Sequence, residues 1–355
     1  MGASLVLGSW RAPRLDHLLH LATPNGLYEH ALGSEPRIEH GMCVDDVARA
    51  LVVTARLAPP DGRATDLADT CLRFVRAAQR PDGRLHNRRA PDGTWLDAPS
   101  TDDHWGRAVW ALGVAATSLP AGRMARAAHR GASQAMLARS PHLRATAYAA
   151  LGAAALLRAD PRHAPARRLL HDARVTLPRA ATDTRWPWPE ARLTYANAVL
   201  PEAVLATAEV LGDDDLLAEG LGLLGWLVAE QTVDDRLSVV PVAGRGPGDA
   251  RPGFDQQPVE VTALAEAAAT ALRITGDPRW ATVLERCVAW FEGANDSGVP
   301  VRDAATGAGF DGLERAGVNR NQGAESTLAW LACAQLLAAT DPAPVPAPAG
   351  RVGAP

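Results

Sequence analysis

The chain has 355 residues, 47% of them hydrophobic, and a formal net charge of −4, so it can bury a large core and carries no massed basic surface of the kind a nucleic-acid binder needs. Every basic residue is Arg, which excludes a Schiff-base lysine and a P-loop lysine together. A small, neutral or weakly charged partner fits this balance better than a polyanion.

The first apolar run, Ala3 to Leu7, is shorter than a signal-peptide core and far shorter than a membrane span, and Val6 removes the Ser or Thr a myristoylation signal wants. The expectation is a cytoplasmic protein without a membrane span. Cys43, Cys71, Cys287 and Cys333 stand far apart in apolar text, without zinc or redox spacing, and read as small buried side chains in a reducing compartment.

Apolar residues at three-to-four spacing then predict helices at Arg14–Ala22, Val44–Leu57, Thr65–Arg80, Asp103–Ser118, Gly122–Ala138, His142–Arg158, Ala164–Val175, Tyr195–Leu211, Asp214–Gln231, Pro258–Thr275, Pro278–Gly293 and Gln322–Ala339. Breakers such as PPDG, SLPAG and TGDP separate them, and most come in pairs. Twelve paired helices with little strand alternation predict one all-α domain over residues 10–340, a ring of hairpins with an inner and an outer layer. The Pro/Ala-rich stretch 341–355 reads as a disordered tail.

Five pair-leading helices begin in polar text: HGMCVDDVARAL, STDDHWGRAVWAL, LTYANAVLPEAVL, GFDQQPVEVTALAEA and NRNQGAESTLAWLA. One offset lays Asp45 over Asp103 and Arg49 over Arg107, a degenerate internal repeat. In a ring whose inner helices run parallel, these starts meet at one mouth. The plain reading of Asp, Asn and Ser at such places is N-capping. A cap, however, needs one short side chain and does not call for Gln257 with Glu260, or Gln322 with Glu325, on the same helix face.

The starts offer Asp46, Asp103, Asp255 and Glu325 as candidate acid and base groups, since glycoside hydrolysis requires a proton donor and a second carboxylate. Asp45, Glu190, Glu260, Gln256, Gln257, Asn197, Asn321, Gln322, Tyr195, His104 and Arg107 are the candidates for binding sugar hydroxyls or steering those carboxyls. Ten Trp against four Phe and three Tyr suggest indoles that stack on sugar rings, with Trp95, Trp105, Trp186 and Trp188 in or beside the polar loops. Neither HExxH nor another tight His spacing occurs, so no metal and no cofactor are expected.

The segments QRPDGRLHNRRAPDGTWLDAPSTDDHWGRAVWALG, WPWPEARLTYANAVLPEAVL, FDQQPVEVTALAEA and NRNQGAESTLAWL resemble a bacterial family of six-hairpin, glycosidase-like (α/α)6 proteins, often labelled glycosyltransferase-associated. The resemblance spans about residues 10–340 and implies an (α/α)6 toroid handling an oligosaccharide, a mannoside or glucoside, with a link to glycosyltransferase partners. The layout is also similar to that of unsaturated-glucuronyl hydrolases, where acids at successive inner-helix starts do the catalysis. Together these readings predict an inverting glycoside hydrolase. Two alternatives remain open: a non-catalytic glycan-binding partner of a glycosyltransferase, and a sugar epimerase, for which His104, His40 and His86 are the only histidines near motifs. A terpene-type toroid would need DDxxD, and DDVAR places Arg49 where the last Asp belongs.

Overall fold

The computed structural model describes residues 14–57 and 62–340; the expected tail at 341–355 lies outside the described residues. Twelve α-helices follow in order: α1 (Asp16–Leu21), α2 (Val44–Ala55), α3 (Gly62–Ala78), α4 (Asp103–Ser118), α5 (Arg123–Ala135), α6 (Leu143–Ala159), α7 (Ala164–Thr176), α8 (Val199–Leu211), α9 (Asp214–Glu230), α10 (Pro258–Thr275), α11 (Arg279–Phe291) and α12 (Ala324–Ala338). Among the described residues, strands occur only as two-stranded antiparallel ribbons of two or three residues per strand.

The even-numbered helices form the inner layer. Helix α2 packs on α4, α4 on α6, α6 on α8, α8 on α10, α10 on α12, and α12 returns to α2, closing a ring. The odd helices α3 to α11 each pack outside the inner helix before them, and the short α1, near the start of the chain, packs on α12 to complete the sixth hairpin. Burial follows the layers. Outer α5 buries one stripe, Ala125, Ala128, Ala132 and Ala135, as a helix packed on one side should. Inner α4 and α6 bury nearly every residue along their lengths, so their sequences read apolar all round.

The contact between α4 and α6 depends on absent side chains. A Cβ added to Gly106 would lie 2.3 Å from the Ala145 carbonyl oxygen, and one added to Gly152 would lie 2.3 Å from that of Val109. Backbones this close set Arg107 and Arg144, one residue along from Gly106 and one before Ala145, on adjacent helices at the same end of the ring.

Helix α8 begins at Val199, four residues later than periodicity predicts. The reason is tertiary. Ala196 takes a left-handed conformation (φ 45°), and its N–H and that of Asn197 donate to the buried carboxyl of Glu260 on α10, which also accepts from the Asn197 amide at 2.8 Å. The loop is held against the start of α10 and does not join the helix.

Candidate active site

The inner helices start at one mouth, where Asp45, Asp46, Asp103, Arg107, Tyr195, Gln257 and Glu325 meet in a cavity of about 520 Å³. These residues come from α2, α4, α12 and the loops before α8 and α10, so a ring of parallel inner helices brings together what the sequence spreads over nearly 300 positions. Capping does not explain them. None of the six inner helices has a side-chain cap at its N-terminus, whereas outer helices α7 and α9 are capped by His163 and Asp213.

The polar starts instead form a chain of charges around the mouth. Glu325 of α12 pairs with Arg49 at 2.6 Å, and Arg49 also donates to Asp46 at 2.6 Å. Next to them Asp45 accepts from Arg107 of α4 at 2.5 Å and from the Asn87 amide at 3.1 Å. Arg107 lies 3.7 Å from Asp103, whose Oδ2 accepts from the Tyr195 hydroxyl at 2.8 Å. The Tyr195 ring in turn lies under the Arg144 guanidinium, 4.7 Å from its centroid. The repeat thus has a structural use, because its two arginines link three neighbouring inner helices.

Asp45 and Asp46 differ sharply in protonation. Burial opposes ionisation of Asp45, but the Arg107 and Arg49 guanidiniums outweigh it and hold the carboxyl below its usual range. Burial raises Asp46 to about 7; Arg49 opposes this, while Glu325, Glu29 and Asp45 add to it. One guanidinium facing both Asp46 and Glu325 cannot neutralise two carboxylates. Asp46 therefore titrates near neutral pH, where it can still hold a proton.

Sequence reasoning missed two acids that line the same cavity, Glu29 and Asp311. Glu29 sits between two short ribbons, pairs with Arg88, and has its pKa raised by burial more than Arg88 lowers it. Asp311 accepts from the Gly323 N–H at 2.8 Å, and burial raises it as well. Both lie in loops without helical periodicity; their only signal is a carboxylate among apolar neighbours, in LYEH and GFDG.

Several expected binding residues are placed otherwise. Trp105 and Trp188 are 1% exposed and belong to the core, Trp105 donating to the Ala135 carbonyl, so neither indole face is open to a sugar. Asn197 and Gln256 are fully buried and bonded within the protein, Gln256 to Gly253, Asp296 and Trp290. Glu260 is buried in the role described above and burial raises it to about 7, with Asn197 and the Ala196 and Asn197 N–H groups opposing. Glu190 forms a two-pronged pair with Arg144 outside the cavity lining. Asn321 accepts from the Gly33 N–H and the buried Gln322 docks its backbone on Gly33, so both fasten the Ala31–Pro36 ribbon to the start of α12. His104 is buried, its ring 2.9 Å from the Leu85 carbonyl, and reaches only a side cleft next to the mouth. Asp255, named as a possible acid, is exposed and outside the cavity lining.

Among the described residues, one group has metal-ligand spacing: Glu29, Cys43 and Asp46, with ligand atoms within 4.8 Å of one another. The Cys43 thiol already lies 3.3 Å from Asp46, and burial together with that carboxyl pushes its pKa well up, which disfavours a thiolate ligand. All four cysteines are free and buried. No helix among the described residues is long and apolar enough to cross a membrane.

No protein-family model matches the chain, and no curated protein matches its sequence. Solved structures do match over nearly its whole length. A sugar epimerase from a ruminal bacterium superposes with a TM-score of 0.67 at 14% identity, covering 93% of this chain and 96% of the other. An α-mannanase of glycoside hydrolase family 76 from Bacteroides thetaiotaomicron gives 0.63 at 11% identity, covering 91% and 93%. A cellulase of C. cellulolyticium, solved in complex with cellobiose, gives 0.59 at 9% identity, covering 88% and 87%. Like these structures, the chain folds as an (α/α)6 toroid of the six-hairpin, glycosidase-like architecture.

Proposed function

We propose that the protein is a glycoside hydrolase that cleaves an oligosaccharide at the mouth of the ring, with Asp46 as general acid and Asp103 as general base. The observation that carries this reading is the pairing of a buried carboxyl raised to about 7 with carboxylates on the neighbouring helices, all in one cavity of saccharide size. Structural neighbours that include an α-mannanase and a cellulase bound to cellobiose support a saccharide substrate.

In the proposed step Asp46 gives its proton to the glycosidic oxygen as the bond to the anomeric carbon breaks. A water attacks that carbon and passes a proton to Asp103, leaving Asp46 ionised and Asp103 protonated until solvent resets both. Tyr195 occupies Oδ2 of Asp103, so Oδ1 is the oxygen available to the water. Because the two carboxyls stand on adjacent helices and share no hydrogen bond, we read the reaction as inverting, which needs room for a water between them.

An epimerase reading has the neighbours' names in its favour, since two of them are a sugar epimerase and a D-mannose isomerase. The cavity argues against it: His30 is its one lining imidazole, with Nδ1 3.0 Å from that of His40, and the group poised near neutrality is a carboxyl. The test is incubation of the purified protein with α- and β-linked manno- and gluco-oligosaccharides, followed by product analysis. Shorter sugars support hydrolysis; an isomer of unchanged length supports epimerisation; binding without turnover supports a glycan-binding partner of a glycosyltransferase.

A further inference from the structure

A second cavity, of about 690 Å³, opens at the opposite end of the ring, where the inner helices finish. Its lining includes Arg56 just after α2, Arg158 in the last turn of α6, Arg273 in the last turn of α10, and Gln335 of α12. A small space of about 40 Å³ lies between the two cavities, sharing Arg49 and Glu325 with the mouth and Trp110, Glu202 and Glu266 with the far end. A space of that volume admits a few waters and no sugar ring, so a saccharide held at one end does not reach the other.

Arginines at helix C-termini have an ordinary role, which is to meet the negative end of the dipole. The charges here exceed that role. Arg56 is matched by Glu266 through bonds of 2.6 and 3.0 Å, but Arg158 and Arg273, from different helices, share the single carboxylate of Glu209. Burial and the Arg273 charge both lower the Arg158 pKa, as expected of a cation crowded by another.

Deeper in, the buried Glu202 accepts from Thr270 at 2.9 Å through Oε1, while its Oε2 has no protein partner among the described residues. Burial and the Glu266 charge raise Glu202 to about 8, so it is a neutral donor at pH 7. Gln335 donates to the Val53 carbonyl, and its buried Oε1 has no partner among the described residues. The cavity therefore offers guanidinium donors at a partly exposed rim and a hydroxyl donor at depth, along a wall formed in part by Trp110 and Leu151, while the Gln335 Oε1 is closed off from it.

We propose that this far cavity is a second binding site, for a monosaccharide-sized polyol carrying an oxyanion, with the anion between Arg158 and Arg273 and the hydroxyls toward Glu202. Phosphate and carboxylate share the chemistry of the rim, so the test separates them. It uses the full chain, because the sequence continues past Ala339 at the cavity edge.

Calorimetric titrations at pH 7 and low salt are run with glucose 6-phosphate, glucuronate, glucose and inorganic phosphate. The expected result is saturable binding of one sugar anion, at least tenfold weaker binding of glucose, and at least tenfold loss in the Arg158→Gln/Arg273→Gln variant, with Asp46→Asn binding as the parent does. Arg158→Glu serves if the double variant is unfolded by far-UV spectroscopy. Undiminished binding in the arginine variants, loss of binding in Asp46→Asn, or no saturation by either sugar anion would overturn the site. Equal affinity for inorganic phosphate and the sugar phosphate would reduce it to an adventitious ion only.

Discussion

Asp45 and Asp46 are consecutive in the first turn of α2, yet their carboxyls face different partners: Asp45 reaches across to Arg107 on α4, while Asp46 turns toward Arg49 and Glu325 on the α12 side. Successive residues on a helix point about 100° apart, so one turn can serve two neighbouring helices. The outcome is one carboxyl held below its usual range and one raised to about 7 a single residue apart, which leaves Asp46 and not Asp45 fitted to give up a proton near neutral pH.

If Asp46 donates the proton, Asp46→Asn keeps the shape and the Arg49 contact while removing the chemistry. Turnover should fall by about 10²–10⁴-fold with KM little changed, and Asp103→Asn should behave alike. Parent-like turnover in Asp46→Asn would move the acid role to another group, Glu29 first, because it lies beside Asp46 and is also raised.

The same assignment fixes a pH profile. Activity should fall as pH rises through about 7, when Asp46 loses its proton. Glu325 raises Asp46 and Arg49 lowers it, so Glu325→Gln should move the alkaline limb down and Arg49→Gln should move it up, each by about 1 pH unit. Shifts of the same sign in both variants would show that the limb belongs to a different group. Arg49→Gln should also cost stability, by roughly 1–3 kcal/mol, because the buried Asp46 carboxyl loses its hydrogen-bond donor.

The ring and its mouth were legible in the sequence because both rest on local signals. Periodicity marks all twelve helices of the described residues, and the Asp45/Asp103 repeat marks two inner starts. The single-residue roles were not legible, since they depend on which face turns outward. Trp105 and Trp188 sit in polar text but point into the core, and Asn321 and Gln322 look like sugar ligands but hold a ribbon in place. Glu29 was invisible for the converse reason: it reaches the mouth only because the chain near its beginning folds back over α12, where the Ala324 N–H donates to the Glu29 carbonyl.

The far carboxyl gives a stability prediction with a definite sign. Glu202 is raised from 4.5 to about 8, so the folded protein holds a proton there that the unfolded chain has lost. Its contribution is full below about pH 4.5 and disappears as pH rises through about 8. Glu202→Gln cannot ionise and can still accept from Thr270. Relative to the parent it should therefore gain stability with rising pH, by about 4 kcal/mol between pH 5 and 8.5, measured by urea unfolding at a series of pH values. A pH-independent difference between the two proteins would mean that Glu202 is ionised in the fold.

Gln256 and Gln257 offer the sharpest test of how the mouth is built, because they are adjacent and chemically identical. Gln256 is fully buried, with Nε2 on the Asp296 carboxylate at 2.8 Å and Oε1 on the Trp290 indole N–H at 3.3 Å, and its backbone exchanges two hydrogen bonds with Leu313. Gln256→Ala removes the side-chain partners of two buried groups and should cost about 1–3 kcal/mol of stability. Gln257 lines the cavity, partly exposed at the start of α10, and no hydrogen bond ties its side chain to the protein among the described residues. Gln257→Ala should leave stability within about 0.5 kcal/mol and raise KM several-fold for a saccharide that the parent cleaves. Measuring both variants by urea unfolding and by initial rates separates scaffold from site. If Gln257→Ala unfolds more readily and binds normally, its amide belongs to the frame, and the mouth recognises sugar hydroxyls through its carboxylates and Tyr195 instead.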